Sequence, residues 1–371
     1  MRIAILTQPL RYNFGGILQN YALQTVLKRM GHEVVTIDPN QYIKTTWKTP
    51  LHVLKRFIIN HLIMRRNIDP IWEYRKNNKL RKLESNTGRF IKKHIKVCKY
   101  NIINEIDITS FDAFIVGSDQ VWRPQYNIGR LTNMFLDFTE GTNIKRVAYA
   151  ASFGTEEWEF SEEETNKCKK LLERFDGISV REDSGVELCN KYFNREAIHV
   201  LDPTMLLTKE DYMKLFASNN SQREGKNLFY YILDEEKSKT DYIKEEAIKM
   251  GLDTFTVNAC VDMNSIKAIS QRIQPPVEDW LKAFQDAEYV ITDSFHGTVF
   301  SILFNKPFTV ILNEKRGSAR IDSLLKMFHL EQRLHRSNCL KDNPCIDWNI
   351  VNGILSTKRK EAFEFISKHI E

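Results

Sequence analysis

RIAILTQPLRYNFGGILQNYALQTVLKRMGHEVVTID, residues 2–38, decides the fold. RIAILT is an apolar run of strand length, and QPLRYNFGG is a polar loop with adjacent glycines. ILQNYALQTVLKRM has helical spacing: Leu18, Ala22, Thr25/Val26 and Arg29 mark successive turns, with Leu23 and Leu27 beside them. Gly31 stands where such a helix ends in the left-handed conformation. EVVTID is a second strand, closing at Asp38. Strand, loop, helix and strand in this order form a βαβ unit, which predicts a parallel, doubly wound sheet.

Working outward, the same alternation recurs. FDAFIVGSD (111–119), RVAYAASFG (146–154), GISVRED (177–183) and AIHVLDPTMLL (197–207) read as strands, with helices over 162–175 and GVELCNKYF between them. ASNNSQREGK (217–226) is polar and aperiodic, and reads as a linker. A second series follows: NLFYYIL (227–233), a helix over KTDYIKEEAIKMG, DTFTVNA, a helix over PVEDWLKAFQDA, EYVITDS, a helix over GTVFSILFN, then KPFTVILN. The tail, 356–370, is an amphipathic helix with Ala362, Phe363, Phe365 and Ile366 on its apolar face. The expected architecture is α/β: Rossmann-like domains at 1–216 and 217–350 around a cleft, with 351–371 as a closing helix.

A chain of 371 residues exceeds one ordinary core, and 42% hydrophobic with 27% charged residues is a globular composition. No apolar run reaches the ~18 residues of a membrane span. MRIAILTQPLRYN has too short an apolar run for a signal peptide. The six cysteines (Cys98, Cys168, Cys189, Cys260, Cys339, Cys345) form no CxxC pair, so reduced cytosolic thiols are expected, with no metal site. Charge is uneven. Residues 41–100 hold 16 Lys/Arg against 3 Asp/Glu, a net +13 in a chain of +6, leaving −7 elsewhere. An anionic partner or surface is implied.

In YVITDSFHGTVFSILFNKPF (289–308), a strand stops at Asp293 and a buried-looking helix begins near Gly297. In an open parallel sheet, ligands bind outside the carboxyl ends of strands. His296 sits there, with the helix's first N–H groups, Gly297, and the hydroxyls of Ser294 and Thr298. The cluster is either an anion pocket with an acid/base group or a histidine that caps the helix. Arg181 ends a strand, and either forks onto a ligand anion or pairs with Glu182 or Asp183. Lys315 and Arg316 follow the last strand, as cleft cations or as a solvated loop. Asp119 and Trp122, in GSDQVWRP, read as sugar contacts or as a cap and a packing ring. The first loop lacks GxGxxG, which argues against a nicotinamide enzyme.

IAILT, NFGGILQNYALQ, GHEVVTID, FDAFIVGSDQVW, YAASFG, ISVREDSG, VLDPTMLL, ITDSFHGTVFSILFNKPF and ARIDSLL, spread over residues 3 to 325, resemble the polysaccharide pyruvyl transferases. The resemblance implies a fold similar to GT-B glycosyltransferases, with the last helix crossing back to the first domain. It implies phosphoenolpyruvate as donor substrate, no cofactor, and a pyruvate ketal formed on two hydroxyls of one sugar. It places the family's essential histidine on His296, its donor-binding arginine on Arg181 and a basic donor contact on Lys315 or Arg316. Asn13, Gly15, Gly16 and Gln19, in the matching first loop, are candidate substrate contacts, and Asp119 is the candidate acceptor of the sugar proton.

In LHVLKRFIINHLIM (51–64), Leu51, Leu54, Ile58 and Leu62 fall at helical spacing beside Lys55, Arg56, Arg65 and Arg66. This helix either packs on the first domain's sheet or docks on an anionic membrane, where an undecaprenyl-diphosphate-linked acceptor would be met at the inner face of the cytoplasmic membrane. Three rivals stand. A nucleotide-sugar glycosyltransferase is disfavoured because no Asp or Glu lies between Asp293 and Glu314 to hold a ribose. A nucleic-acid-binding protein lacks a recognition motif. The third is a non-catalytic scaffold of polysaccharide synthesis. Oligomeric state is not legible.

Overall fold

A computed structural model describes residues 1–43, 49–59, 69, 71–217, 223–259, 268–313, 317–336 and 345–370. Among them, β1 (Arg2–Leu6), β2 (Glu33–Pro39), β3 (Val97–Tyr100), β4 (Ala113–Val116), β5 (Lys145–Ala151), β6 (Gly177–Val180) and β7 (Ile198–His199) form one parallel sheet, ordered β3-β2-β1-β4-β5-β6-β7. A second parallel sheet, ordered β12-β11-β10-β8-β9, comprises β8 (Asn227–Tyr231), β9 (Asp253–Phe255), β10 (Tyr289–Thr292), β11 (Phe308–Ile311) and β12 (Leu334–His335). Continuous apolar runs give these central strands their place. Residues 3–6 of β1 are wholly buried because helices cover both faces.

The helix after β1 is α1 (Phe14–Arg29), capped by the Asn13 side chain. It starts one turn earlier than its apolar spacing predicts, so Gly15 and Gly16 lie inside its first turn. Gly31 adopts φ +89° just past its end, as expected. Between β2 and β3 run α2 (Thr49–Phe57), α3 (Trp72–Leu83) and α4 (Ser85–His94); α5 (Glu162–Leu172) joins β5 to β6, α6 (Asp183–Leu188) follows β6, and α8 (Lys237–Met250) joins β8 to β9. No described residue of α2 is buried, so it does not pack on the sheet. It is tied to α3 through both guanidinium ends of Arg56, at 2.6 and 2.8 Å from Glu73. Leu62, Arg65 and Arg66 lie outside the described residues, as does the centre of the expected 217–226 linker. Among the described residues no helix is long and apolar enough to cross a membrane.

The two lobes share one hydrophobic core. Phe14, at the start of α1, stacks on Trp280 of α9 (Val277–Asp286) with centroids 5.4 Å apart, and approaches Tyr231 at 6.3 Å. α7 (Lys209–Phe216) precedes the second sheet and also packs on α9, while its Asp211 takes both ends of Arg29 at 2.7 and 2.9 Å. On the other flank, the Asp183 N–H donates to Ser323 Oγ of α11 (Ala319–Met327) at 2.9 Å. Gly317, at φ +82°, lies so close to Gly154 that a Cβ would stand 2.1 Å from its carbonyl oxygen. The last helix, α12 (Trp348–Ile370), returns to the first lobe. Arg359 donates to the carbonyls of Met205 and Leu207 at 2.6 and 2.7 Å, and Phe365 meets Tyr149 over β5.

Candidate active site

Strand order reverses between β1 and β4 in the first sheet and between β8 and β10 in the second. Crevices for ligands open at such switch points, and here the two face each other. Between them is a cavity of about 260 Å³. Gln8, Asn13, Asp119, Gln120 and Tyr126 line it from the first lobe, and Ser294, His296, Asn313 and Arg320 are among those lining it from the second.

The β10 end is fixed by Asp293. Its carboxylate accepts from the Leu233 N–H at 2.7 Å, Lys239 Nζ at 2.8 Å and Asn313 Nδ2 at 3.0 Å. Ser294 then caps α10 (Phe295–Leu303), its hydroxyl accepting from the Gly297 N–H at 3.4 Å. Gly297 serves close packing: a Cβ there would sit 2.2 Å from Thr292 Oγ1. Thr298 is fully buried and donates to the Ser294 carbonyl at 3.0 Å. Gly297 and Thr298 therefore hold the helix against its own strand and do not line the cavity.

His296 projects from the first turn of α10 across the lobe boundary. Its ring lies on the backbone of Gly15, where a Cβ would stand 2.0 Å from Nδ1 and 2.3 Å from Cγ. Its Nε2 is 3.7 Å from Asp202 Oδ2 and has no hydrogen-bond partner among the described residues. Asp202 is wholly enclosed. It accepts from Thr204 Oγ1 at 2.6 Å, Arg181 Nη1 at 2.9 Å and Ser118 Oγ at 3.2 Å. Burial alone would raise its pKa, but His296, Arg181 and Thr204 outweigh burial and hold it well below the usual carboxylate range.

Arg181 is the hub. One end binds Asp202, and Nη2 binds Asp119 at 3.2 Å. Its guanidinium lies 4.5 Å from the centroid of Phe295, and Arg320 reaches the same ring at 5.9 Å. With a side chain only 1% exposed, Arg181 is paired with Asp202 and Asp119 and is not among the residues lining the cavity. Of the two sequence readings it shows the ion-paired one, with Asp202 and Asp119 as partners in place of Glu182 or Asp183, under the ring of Phe295. A buried charge of this kind persists only when paired, because each ion loses several kcal/mol of hydration. Asp119, at φ +76°, is likewise held ionised: Arg181, His296 and Arg320 overcome the upward push of burial. That makes it a weak base. Burial and the like charge of Arg181 bring Arg320 down to about 10. Glu182 is buried too, its Oε1 accepting from the N–H groups of Phe153 and Gly154 at 2.7 and 3.1 Å. Two guanidinium groups thus meet three buried carboxylates, so this described set carries no positive excess.

Of the sequence-derived candidates, His296, Asp119, Asn13 and Ser294 line the cavity. Gly15 backs His296, and Gly16 lies beside Asp119. Gln19 is buried, donating to Thr7 Oγ1 and accepting from the Ser118 N–H at 3.0 and 3.1 Å, so it braces loops and touches no ligand space. Trp122 is wholly buried, stacked on Phe135 with its indole N–H bound to the Met134 carbonyl. It is core, and the aromatics lining the cavity are Tyr126 and Phe295. Lys315 and Arg316 lie outside the described residues; their neighbours Asn313 and Gly317 line the cavity. Sequence reading missed Asp202, in VLDPTMLL, and Arg320, in ARIDSLL, although both stretches carried the family resemblance.

A family model described as polysaccharide pyruvyl transferase matches residues 13–315. No curated protein matches the chain. Among solved structures, MurG of Acinetobacter baumannii is similar at 12% identity and a TM-score of 0.41, covering 99% of this chain and 94% of that one. UDP-GlcNAc 2-epimerase of Neisseria meningitidis bound to UDP-GlcNAc is similar at 14% and 0.46, covering 99% and 100%. Arabidopsis thaliana UGT89C1 complexed with UDP-L-rhamnose is similar at 7% and 0.47, covering 99% and 93%.

Proposed function

The chain belongs to the polysaccharide pyruvyl transferase family, and from that premise we propose that it transfers pyruvyl from phosphoenolpyruvate to two hydroxyls of one sugar, releasing phosphate. The observation that carries this reading is His296. It lines a small cavity closed by both lobes, and its Nε2 stands 3.7 Å from the ionised Asp202 carboxylate. The volume falls at the small end of ligand pockets, which favours a three-carbon donor over a nucleotide sugar.

In this reading His296 moves every proton. Its imidazolium, facing Asp202, protonates C3 of the donor, leaving a cationic C2. The first sugar hydroxyl attacks C2 and returns its proton to the ring. The ring then protonates the departing phosphate, the C2–O bond to phosphate breaks, and the second hydroxyl closes the ketal and restores the imidazolium. Two hydroxyl protons are consumed, one in the new methyl group and one in the released phosphate, so the ring ends as it began.

Arg320, which lines the cavity, faces the donor carboxylate. Lys315 and Arg316 supply the positive charge that the described set lacks for the phosphate. Arg181 holds Asp202 and Asp119 in place, a positioning role. The acceptor is a lipid-linked saccharide, met at an anionic membrane surface. In support, α2 exposes Leu51 (62%), Leu54 (56%) and Phe57 (42%) beside Lys55. Incubation with phosphoenolpyruvate and a panel of lipid-linked sugars should yield phosphate and a sugar heavier by one pyruvyl group. Full turnover by His296→Ala, or transfer from a nucleotide sugar instead, would overturn the reading. Liposome sedimentation should rise with anionic lipid content.

A further inference from the structure

The loop after β4 meets the cavity at two depths. Asp119 and Gln120 are buried in its wall, whereas Tyr126, which lines the same cavity, is 40% exposed. His296 is 7% exposed. The imidazole therefore marks the closed end of the cavity and the phenol ring its open end. The loop between is fixed from below. Trp122 anchors it in the core, and the wholly buried Asn127 donates to the carbonyls of Val121 and Arg123 at 2.9 and 3.0 Å. Gln8, just past β1, clamps it from the side, donating to the Gln120 carbonyl at 2.9 Å and to Asn127 Oδ1 at 3.2 Å. Tyr126 closes a single turn opened by Pro124 between these anchors.

The ring also has a backing. The Arg123 guanidinium lies over it, 5.3 Å from its centroid. The charge of Arg123 is spent on Glu159, with Nη2 and Nε at 2.9 and 3.1 Å from its two oxygens, and Nη1 meets Gln120 Oε1 at 3.2 Å. What the loop offers the cavity here is thus a stiffly mounted aromatic surface without a cation to give a ligand. That selects the ligand class. The face of an aromatic ring is electrically negative, so it repels a donor that carries a carboxylate and a phosphate. A pyranose instead presents a patch of C–H groups on one face, weakly positive and apolar, while its hydroxyls point outward from the rim. Depth agrees with chemistry. The small donor fits the closed end, and a saccharide that continues beyond its reacting sugar must trail out through the open one.

We propose that Tyr126 is the platform on which the acceptor sugar stacks, turning that sugar's hydroxyls toward His296 at the closed end. This rests on the transferase reading and adds to it a residue that sets acceptor specificity. Because the ring is mounted before any sugar arrives, little freedom is lost on binding.

The test is saturation-transfer NMR with methyl glycosides of glucose, galactose, mannose and their N-acetylamino forms, on the full chain without donor. Wild type should bind at least one, with the strongest transfer to ring C–H protons of one face. Tyr126→Ala and Tyr126→Leu should each weaken that binding about tenfold, the scale at which a stacked aromatic counts when truncated. Tyr126→Phe should stay within about twofold of wild type, because the face acts and the hydroxyl does not. Phosphoenolpyruvate binding by calorimetry should change less than about twofold in all three, which also shows that the variants are folded. Glycoside binding that survives both the Ala and the Leu substitution overturns the platform. So does its absence in wild type, a loss in Tyr126→Phe equal to that in Tyr126→Ala, or a parallel loss of donor binding. Wild type that binds glycosides but not phosphoenolpyruvate would sink the transferase reading and leave the platform standing.

Discussion

Gly15→Ala adds one carbon at the point where the lobes touch. In an ordinary helix this change stabilises by about 1 kcal/mol. Here the new Cβ would stand 2.0 Å from His296 Nδ1, against an ordinary contact limit of 3.4 Å, so the ring must retreat by the difference of 1.4 Å. Such overpacking costs about 1–3 kcal/mol, which the helix gain offsets in part, and the net loss of stability is about 0–2 kcal/mol. Activity suffers far more, because a misplacement of about 1 Å at a reacting group costs about 100-fold in rate. Gly16→Ala is the control: its Cβ would meet nothing closer than 3.7 Å, so it should fold and turn over close to wild type. Phosphate release from phosphoenolpyruvate in the presence of acceptor measures the rates, and urea denaturation the stabilities. Wild-type turnover by Gly15→Ala, or equal damage from Gly16→Ala, would show that His296 does not depend on this contact.

Arg181→Ala strands Asp202 and Asp119 as buried charges, and should cost about 3–5 kcal/mol in urea denaturation. Trp122→Phe removes the indole bond to the Met134 carbonyl, costing about 1–2 kcal/mol, and should leave the acceptor KM unchanged because the ring is core. Arg29→Gln reports on the ion pair that, ahead of burial, depresses the Asp211 pKa. A depressed carboxylate stabilises fully above its unfolded value of about 3.9 and loses that contribution as pH falls through the lower folded value. With Arg29 half exposed, the variant should be about 1 kcal/mol less stable near neutrality, and the gap should narrow below about pH 4.

Element order was legible because apolar strands and amphipathic helices declare themselves locally. The parallel sheets followed from βαβ succession, and the His296 turn from its place after a buried strand. What sequence could not show was direction. Gln19 within α1 and Trp122 in the loop after β4 are polar and aromatic residues, and only the packed fold reveals that both face inward. Two adjacent glycines argue against a helix start at Phe14, whereas the requirement that sets Gly15 comes from a ring on the other lobe. Arg320 went unnoticed because it sits inside a helix, where an arginine is ordinarily a surface residue.

The sharing of one core between lobes has a consequence for how the chain is made. Phe14 leaves the ribosome early, yet the indole on which it stacks is synthesised only after the second sheet has begun. The surface of β5 and β6 likewise waits for α12, at the far end of the message. A nascent first lobe therefore carries uncovered aromatic surface for most of translation, and a premature stop after the first sheet should release a fragment that chaperones retain and proteases clear.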